Sequence, residues 1–410
     1  MSNFFPLGGR PNPQDYLGSK RFIDQGTSPV LDVVIVGGGP SGLTLAILLI
    51  ESGLRVRVLE KRHHIGDHSR AIGIHPPALE VLDRAGVGAK ILERGVRIRD
   101  GVGISRGKLI ASLDFRALPG PHRYVLSLPQ SETVAILRAR LDLLDPEAFI
   151  GTTEFAGFTQ LPGDAGLSVR AHHHSNAATT CEYELATRYL VGADGTQSSV
   201  RTTAGRKFTG EPYPDHYVMG DYPDTTEFGS TAALFLHHQG IIESFPMPGG
   251  LRRWVAWISP TEDRALGDLV SLRTGYILDE STRTMLSRFR AARHSVPQLA
   301  MGRVILIGDA AHEVSPIGGQ GMALGLLDAA ALAPILATGG DNRALLKQFS
   351  RERLSAVRVA SRQAHLNMVL GRPSPERLID FRDRAFGALT AIPMIRTAVA
   401  KKFTMDWTRG

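Results

Sequence analysis

The stretch GRVILIGDAAHEVSPIGGQGMALGLLDAA, Gly302 to Ala330, decides how this chain is read. Its apolar run, Val304 to Ile307, has the composition of a buried strand and stops at Gly308-Asp309. A Pro/Gly loop through Pro316, Gly318 and Gly319 follows, and a small-residue helix begins near Gly319. An acid at the carboxyl end of a strand can accept hydrogen bonds from a sugar-like polyol. Unpaired N–H groups at the following helix start can hold negative charge. A ligand carrying both features would be met twice by this one segment.

A second motif near the amino end points the same way. Leu31 to Val36 read as a buried strand, followed by Gly37-Gly38-Gly39-Pro40-Ser41-Gly42 and an apolar helix to Ser52, with Gly53 where a helix C-cap prefers glycine. A second strand, Arg55 to Leu59, ends in Glu60, with Arg62 just beyond. Gly37 permits a tight turn, Gly39 lets the backbone approach a pyrophosphate, and Gly42 lets helix and strand pack closely. Glu60 lies roughly 20 residues on, where a carboxylate can bind adenosine ribose hydroxyls. A bare Gly-rich turn would satisfy the glycines alone. Strand, helix, second strand and terminal acid in order favour a dinucleotide site.

Between these lies Leu190-Val191-Gly192-Ala193-Asp194-Gly195, then Thr196 to Arg201. Taken alone it is a strand entering an Asp-Gly turn. The three motifs in this order resemble the single-component FAD-dependent aromatic hydroxylases, the p-hydroxybenzoate hydroxylase family (group A flavoprotein monooxygenases), over about residues 31 to 345. The resemblance implies non-covalent FAD, with NAD(P)H as co-substrate. It places Asp194 near the flavin and the nicotinamide path, and Asp309 on the ribityl chain. Pro316 and the Gly318-Gly319-Gln320-Gly321-Met322 loop would face the flavin. Arg70 matches a cofactor-contacting arginine, and Gln130 the glutamine that opens another FAD-contacting helix. Two departures stand out. Ala323 occupies the place of the family asparagine after Gly-Met, so one side-chain contact to the ring should be missing, and Ala323→Asn should bind FAD as well or better. With the sequence ending at Gly410, the thioredoxin-like extension of larger members is not expected.

The reaction implied is insertion of one oxygen atom from O2, through a flavin hydroperoxide, into an aromatic or polycyclic small molecule. No side chain need act as nucleophile. If the substrate is a phenol, His237 and Glu243 are the candidate bases. Three alternatives share the cofactor: an oxygen-independent flavin reductase or dehydrogenase, a non-catalytic FAD-binding protein, and a flavin-dependent halogenase. The halogenase reading rests on Trp254-Val255-Ala256-Trp257-Ile258-Ser259-Pro260, whose spacing departs from WxWxIP by one residue in each half.

The expected fold is α/β (α+β overall): a Rossmann-like FAD-binding domain, an inserted antiparallel-sheet substrate domain and C-terminal helices. The chain would divide into a flexible arm over 1–29, a cofactor domain over 30–200 and 300–345, a substrate domain over 201–299, and a helical segment over 346–410. Alternation at Ala233–His237 and Trp254–Ile258 predicts antiparallel strands, with one face presenting Phe235, His237, Glu243, Phe245 and Trp254 to a substrate. Helices from Arg343 onward are interrupted by Pro373, Pro375 and Pro393, and Ile395–Phe403 reads as a C-terminal packing helix rather than a membrane-surface one.

Composition narrows the classes. A hydrophobic fraction of 43% and a charged fraction of 21% are those of a globular protein. The balance of 47 basic and 40 acidic residues, +7, is spread along the chain with no interleaved basic and aromatic pattern, which argues against nucleic acid. Gly37–Pro40 interrupt the apolar stretch from Val33 to Ile50, so no integral membrane segment is expected there. A single cysteine, Cys181, permits no internal disulfide. With no signal-like apolar core in the first 29 residues, a cytoplasmic enzyme is expected, monomeric or homodimeric. His63-His64 and His172-His173-His174 lack metal-ligand spacing and read as solvated loops, so no metal is expected.

Overall fold

A computed structural model describes residues 30–63, 71–176 and 179–409. The expected N-terminal arm and Arg70 lie outside the described residues. A mixed sheet runs in the order Ala300–Met301, Val304–Leu306, Thr179–Gly192, Leu31–Val36, Val56–Leu59, Phe149–Ile150. Its four central strands are parallel. Their register aligns Val36 with both Leu59 and Gly192, and Gly192 with Leu306. The three glycine motifs therefore leave the sheet along one edge, at the carboxyl ends of adjacent parallel strands, where open α/β sheets bind ligands. These strands are buried on both faces, so they read as unbroken runs of Val, Ile and Leu.

Two apolar helices cover one face. Pro40–Glu51 follows the first glycine loop and packs on Gln320–Ala337, which follows the last. The second helix is long and apolar enough to cross a membrane by composition, but Leu324, Leu326, Ala329, Leu332 and Leu336 are all buried in the core against the first helix and Arg343–Gly371. Its apolarity is that of a core helix.

A second sheet carries His312–Glu313, Met285–Ser295, Thr209–Pro223, Leu251–Ile258, Ile242–Met247, Ala232–Phe235, Asp100–Ser105 and Lys108–Asp114 in that order. The hairpin formed by the last two, which sequence reasoning placed with the cofactor part of the chain, joins this sheet. Asp100–Ser105 pairs in parallel with Ala232–Phe235. One face of the sheet packs on Leu266–Thr274 around Trp254, Phe235, Ile242 and Tyr222. The other holds Met219, Tyr217, Val255 and Phe289 against Ile317 and Met368. The long helix is tied to this sheet where it ends: Arg372 donates two hydrogen bonds, at 2.9 and 2.7 Å, to the buried Asp215 carboxylate, which also accepts one from Trp257 Nε1 at 3.1 Å. His172–His174 belong to a strand, Leu167–Asn176, rather than to the loop expected. Cross-strand pairing with Thr179–Gly192 overrides their polarity.

Candidate active site

A single cavity of about 1150 Å³ runs between the strand-end edge of the first sheet and the inner face of the second. Single-ligand pockets occupy roughly 300–1,000 Å³, so this one has room for a cofactor and a second molecule.

Its cofactor end is built from the three motifs. A Cβ on Gly37, whose φ is +112°, would lie 2.3 Å from the Ala193 carbonyl oxygen, and one on Gly42 would lie 2.1 Å from the Gly37 oxygen. Both positions demand glycine for packing. A Cβ on Gly39 would meet nothing within 4 Å, because that residue borders the cavity. The helix it caps has no side-chain cap and no acid in its first turn, so its N–H groups remain available to a phosphate. Pro40 and Ser41 also line the cavity, while Gly42 lies behind it.

Glu60 stands at the end of the neighbouring strand with its carboxylate fully engaged. It accepts from Gly38 N–H at 2.8 Å, and from Arg62 through the backbone N–H and Nε, both at 2.9 Å, and Nη2 at 3.1 Å. Burial would raise its pKa, but these donors prevail and hold it below the ordinary carboxylate range. Arg62 is more than half exposed and so can yield to a ribose.

Asp309 sits in a tight turn, Gly308–Ala310, directly after Val304–Leu306. Its carboxylate projects into the cavity and accepts no hydrogen bond among the described residues. Asp309 is accessible at the cavity wall, while the protein crowded around it pushes its pKa up. An unpaired acid on a cavity wall fits a polyol that donates to it. The turn is held from behind. Arg201 Nη1 donates to Ala310 O at 2.9 Å, and Gly308 N–H donates to Asp328 at 3.0 Å. Asp328 is itself fully buried, bonded to His312 Nε2 at 2.6 Å and Arg353 Nε at 2.7 Å. Sequence reasoning named neither Asp328 nor Arg353. Only contacts across separate helices reveal them.

Gly319, in the left-handed region at φ +66°, starts the helix Gln320–Ala337, again with no side-chain cap or early acid. Pro316, Gly318, Gly319, Gly321 and Met322 line the cavity. Gln320 does not; its side chain is buried, with Oε1 unpaired. Ala323 is also buried in the core and absent from the cavity wall. The expectation of a missing amide at the ring fails on that geometry, since a larger residue there would enter packed side chains. His75, unnoticed in the sequence, orders the glycine loop: its Nε2–H donates to Gly318 O at 3.2 Å, and burial lowers its pKa to about 4, so it stays neutral.

Asp194 lines the cavity, but its carboxylate is committed to the helix Ser199–Thr203, accepting from Ser199 N–H at 2.8 Å, Val200 N–H at 3.2 Å and the Ser198 hydroxyl at 2.5 Å. Its side chain is structural, and the residue meets the cavity as part of its wall. Gln130 opens the helix Gln130–Leu144 at the cavity edge, as expected.

The substrate end differs from the expected face. Glu243 pairs with Leu234 and Val255, and Phe245 with Arg253, so these residues look into the cavity. Phe235 and Trp254 have the opposite parity and fill the core behind. His237 lies beyond the strand, its ring tilted against that of His238 with centroids 4.2 Å apart, and does not line the cavity. The Trp254–Pro260 segment therefore sends its first tryptophan away from the site, while its second is tied to Asp215, which removes the support for a halogenase. Arg253 is neutralised by two hydrogen bonds to buried Asp221, at 2.7 and 2.8 Å. Phe115 and Phe403 stack at 5.8 Å, and Val399, Lys402 and Phe403 of the C-terminal helix Pro393–Phe403 close one side.

This arrangement, glycine loops at parallel strand ends facing a second sheet across one cavity, defines a flavin-binding protein. A family described as FAD binding domain matches residues 30–364, and the chain belongs to it. Its relatives include the rifampicin monooxygenase of Streptomyces venezuelae, 32% identical, with 85% of this chain and 73% of that protein aligned. The 12-dehydrotetracycline 5-monooxygenase/anhydrotetracycline 6-monooxygenase of Streptomyces rimosus is 31% identical over 84% of this chain and 70% of its own length. The crystal structure of p-nitrophenol 4-monooxygenase from Pseudomonas putida superposes with a TM-score of 0.82 at 25% identity, covering 92% of this chain and 99% of that one. The relatives are named as aromatic monooxygenases, and the family resemblance read from the three motifs is borne out.

Proposed function

We propose that this chain is an FAD-dependent monooxygenase that uses NAD(P)H and O2 to insert one oxygen atom into an aromatic or polycyclic small molecule. One observation carries the reading: the FAD-family loops and the apolar face of the second sheet share one cavity, so a substrate on that face sits against the cofactor. When bound, FAD would accept a hydride from NAD(P)H and activate O2. Gly39, Ser41 and the helix start at Pro40 would hold the pyrophosphate, Glu60 the adenosine ribose and Asp309 the ribityl chain. The N–H groups of the Gly319–Met322 turn would stabilise negative charge on the flavin. Leu234, Phe245, Val255 and Phe403 would keep water from the substrate.

The test is direct. The purified chain, supplied with FAD, should show flavin absorbance, and aromatic compounds should accelerate both NAD(P)H oxidation and O2 uptake, with a product heavier by one oxygen atom. Substrate-independent NAD(P)H oxidation with no oxygenated product would leave a reductase. Bound flavin that NAD(P)H does not reduce would leave a binding protein.

A further inference from the structure

Glu243 is an anomaly in the cavity wall. It is almost fully buried, between Leu234 and Val255 on strands whose other cavity-facing residues are apolar apart from Arg253, and no described residue donates to it or pairs with it. Arg253 on the neighbouring strand is already satisfied by Asp221, and Arg372 at the end of the long helix by Asp215. The Tyr217 phenol is buried with its hydroxyl unpaired. Burial, and secondarily the nearby charge of Glu243, push its pKa far above the ordinary range, so it does not titrate. Burial alone raises the Glu243 carboxyl to about 7. An isolated acid is expensive to keep inside a protein, and one facing a ligand cavity invites a functional explanation.

We propose that Glu243 selects an uncharged substrate hydroxyl and takes its proton. Building on the monooxygenase reading above, the substrate is a flat, neutral ring system bearing a phenol. Its O–H bond breaks, the proton forms an O–H bond on the Glu243 carboxylate, and the negative charge moves to the phenolate oxygen. No electrons are exchanged in this step. The ring so produced is the more electron-rich partner for oxygen insertion. The same carboxylate, when ionised, repels a substrate that presents a carboxylate at that position, because Arg253, the cation beside it on this face of the sheet, is already held by Asp221.

Three probes on the FAD-loaded full chain test this: 2-naphthol, 2-naphthoate and naphthalene, each followed by perturbation of the flavin spectrum between pH 5.5 and 8.5. The parent should bind 2-naphthol with a naphtholate absorbance band that grows as pH rises through about 7. It should bind 2-naphthoate at least about tenfold more weakly at pH 8.5 than at pH 5.5, where Glu243 is protonated and can donate. Naphthalene should show neither dependence. In Glu243→Gln the naphtholate band should vanish, and 2-naphthoate affinity should become independent of pH. Glu243→Asp, which keeps the acid, should restore part of both effects. Equal 2-naphthoate affinity at the two pH values in the parent, which needs no variant, overturns the proposal, as does an unchanged naphtholate band in Glu243→Gln. FAD-loaded protein whose flavin spectrum none of the probes moves overturns it too. A chain that takes up no FAD refutes the cofactor reading instead.

Discussion

Replacing Glu243 with glutamine should stabilise the protein, and by an amount that depends on pH. A carboxyl whose pKa is higher in the folded than in the unfolded chain binds protons preferentially in the fold, so stability falls as pH rises between the two values. For Glu243 these are its ordinary 4.5 and about 7. Below about 4.5 the acid is neutral in both states and little penalty exists. Above about 7 the folded chain must hold a buried charge that the unfolded chain holds in water. The difference corresponds to about 3 kcal/mol as an upper bound, since water entering the cavity relieves part of it. Glutamine keeps the shape without the charge. Parent and Glu243→Gln, both saturated with FAD, should unfold at nearly the same urea midpoint at pH 4.5, and the variant should lead by up to about 3 kcal/mol at pH 8.5. Comparing the variants at each pH cancels every other titrating group. A difference that stays constant across this range, or that favours the parent at high pH, would show that Glu243 carries no buried charge.

Asp309→Ala should lose most of its flavin, because it removes an unpaired cavity acid. A loss of about 1.5–3 kcal/mol corresponds to roughly ten- to hundredfold weaker FAD binding, measured by equilibrium dialysis. Gly39→Ala should leave the melting temperature of the FAD-free chain unchanged while weakening FAD, whereas Gly42→Ala should lower the melting temperature first, since its Cβ would fall 2.1 Å from the Gly37 oxygen. Asp328→Asn should cost about 3–5 kcal/mol in urea unfolding by leaving Arg353 buried beside a neutral amide. That contribution is present above the ordinary aspartate value of 3.8 and is lost as pH falls toward about 2, where His312 and Arg353 together outweigh burial and hold the carboxyl. Ala323→Asn should destabilise by about 1–3 kcal/mol in thermal unfolding, with no gain in FAD affinity, because its amide would enter the core.

The cofactor half of the site was legible because its requirements are local. A strand that must end, a turn that excludes a side chain and a helix that starts on a bare glycine each leave a mark within a few residues. Gly37, Gly42 and Asp309 stand where those marks placed them. Function at Asp194 was harder to see in isolation, since the same Asp-Gly pattern serves a ligand or a helix start, and here its side chain caps Ser199–Thr203.

The substrate half depends on pairing between segments far apart in sequence, and alternation within one strand does not say which parity faces the cavity. Glu243 and Phe245 were assigned to the same face as Phe235 and Trp254, yet the register of Leu234 with Glu243 and of Glu243 with Val255 divides them. The aromatic residues have the larger apolar area and pack into the closed core against Leu266–Thr274, where that area is worth most. The cavity face keeps Leu234, Val255, Phe245 and Phe289, an arginine bound to Asp221, and one unpaired acid. The residue least suited to burial is thereby placed where a ligand can reach it, and the chemistry of this site is best sought at Glu243 rather than among its aromatic neighbours.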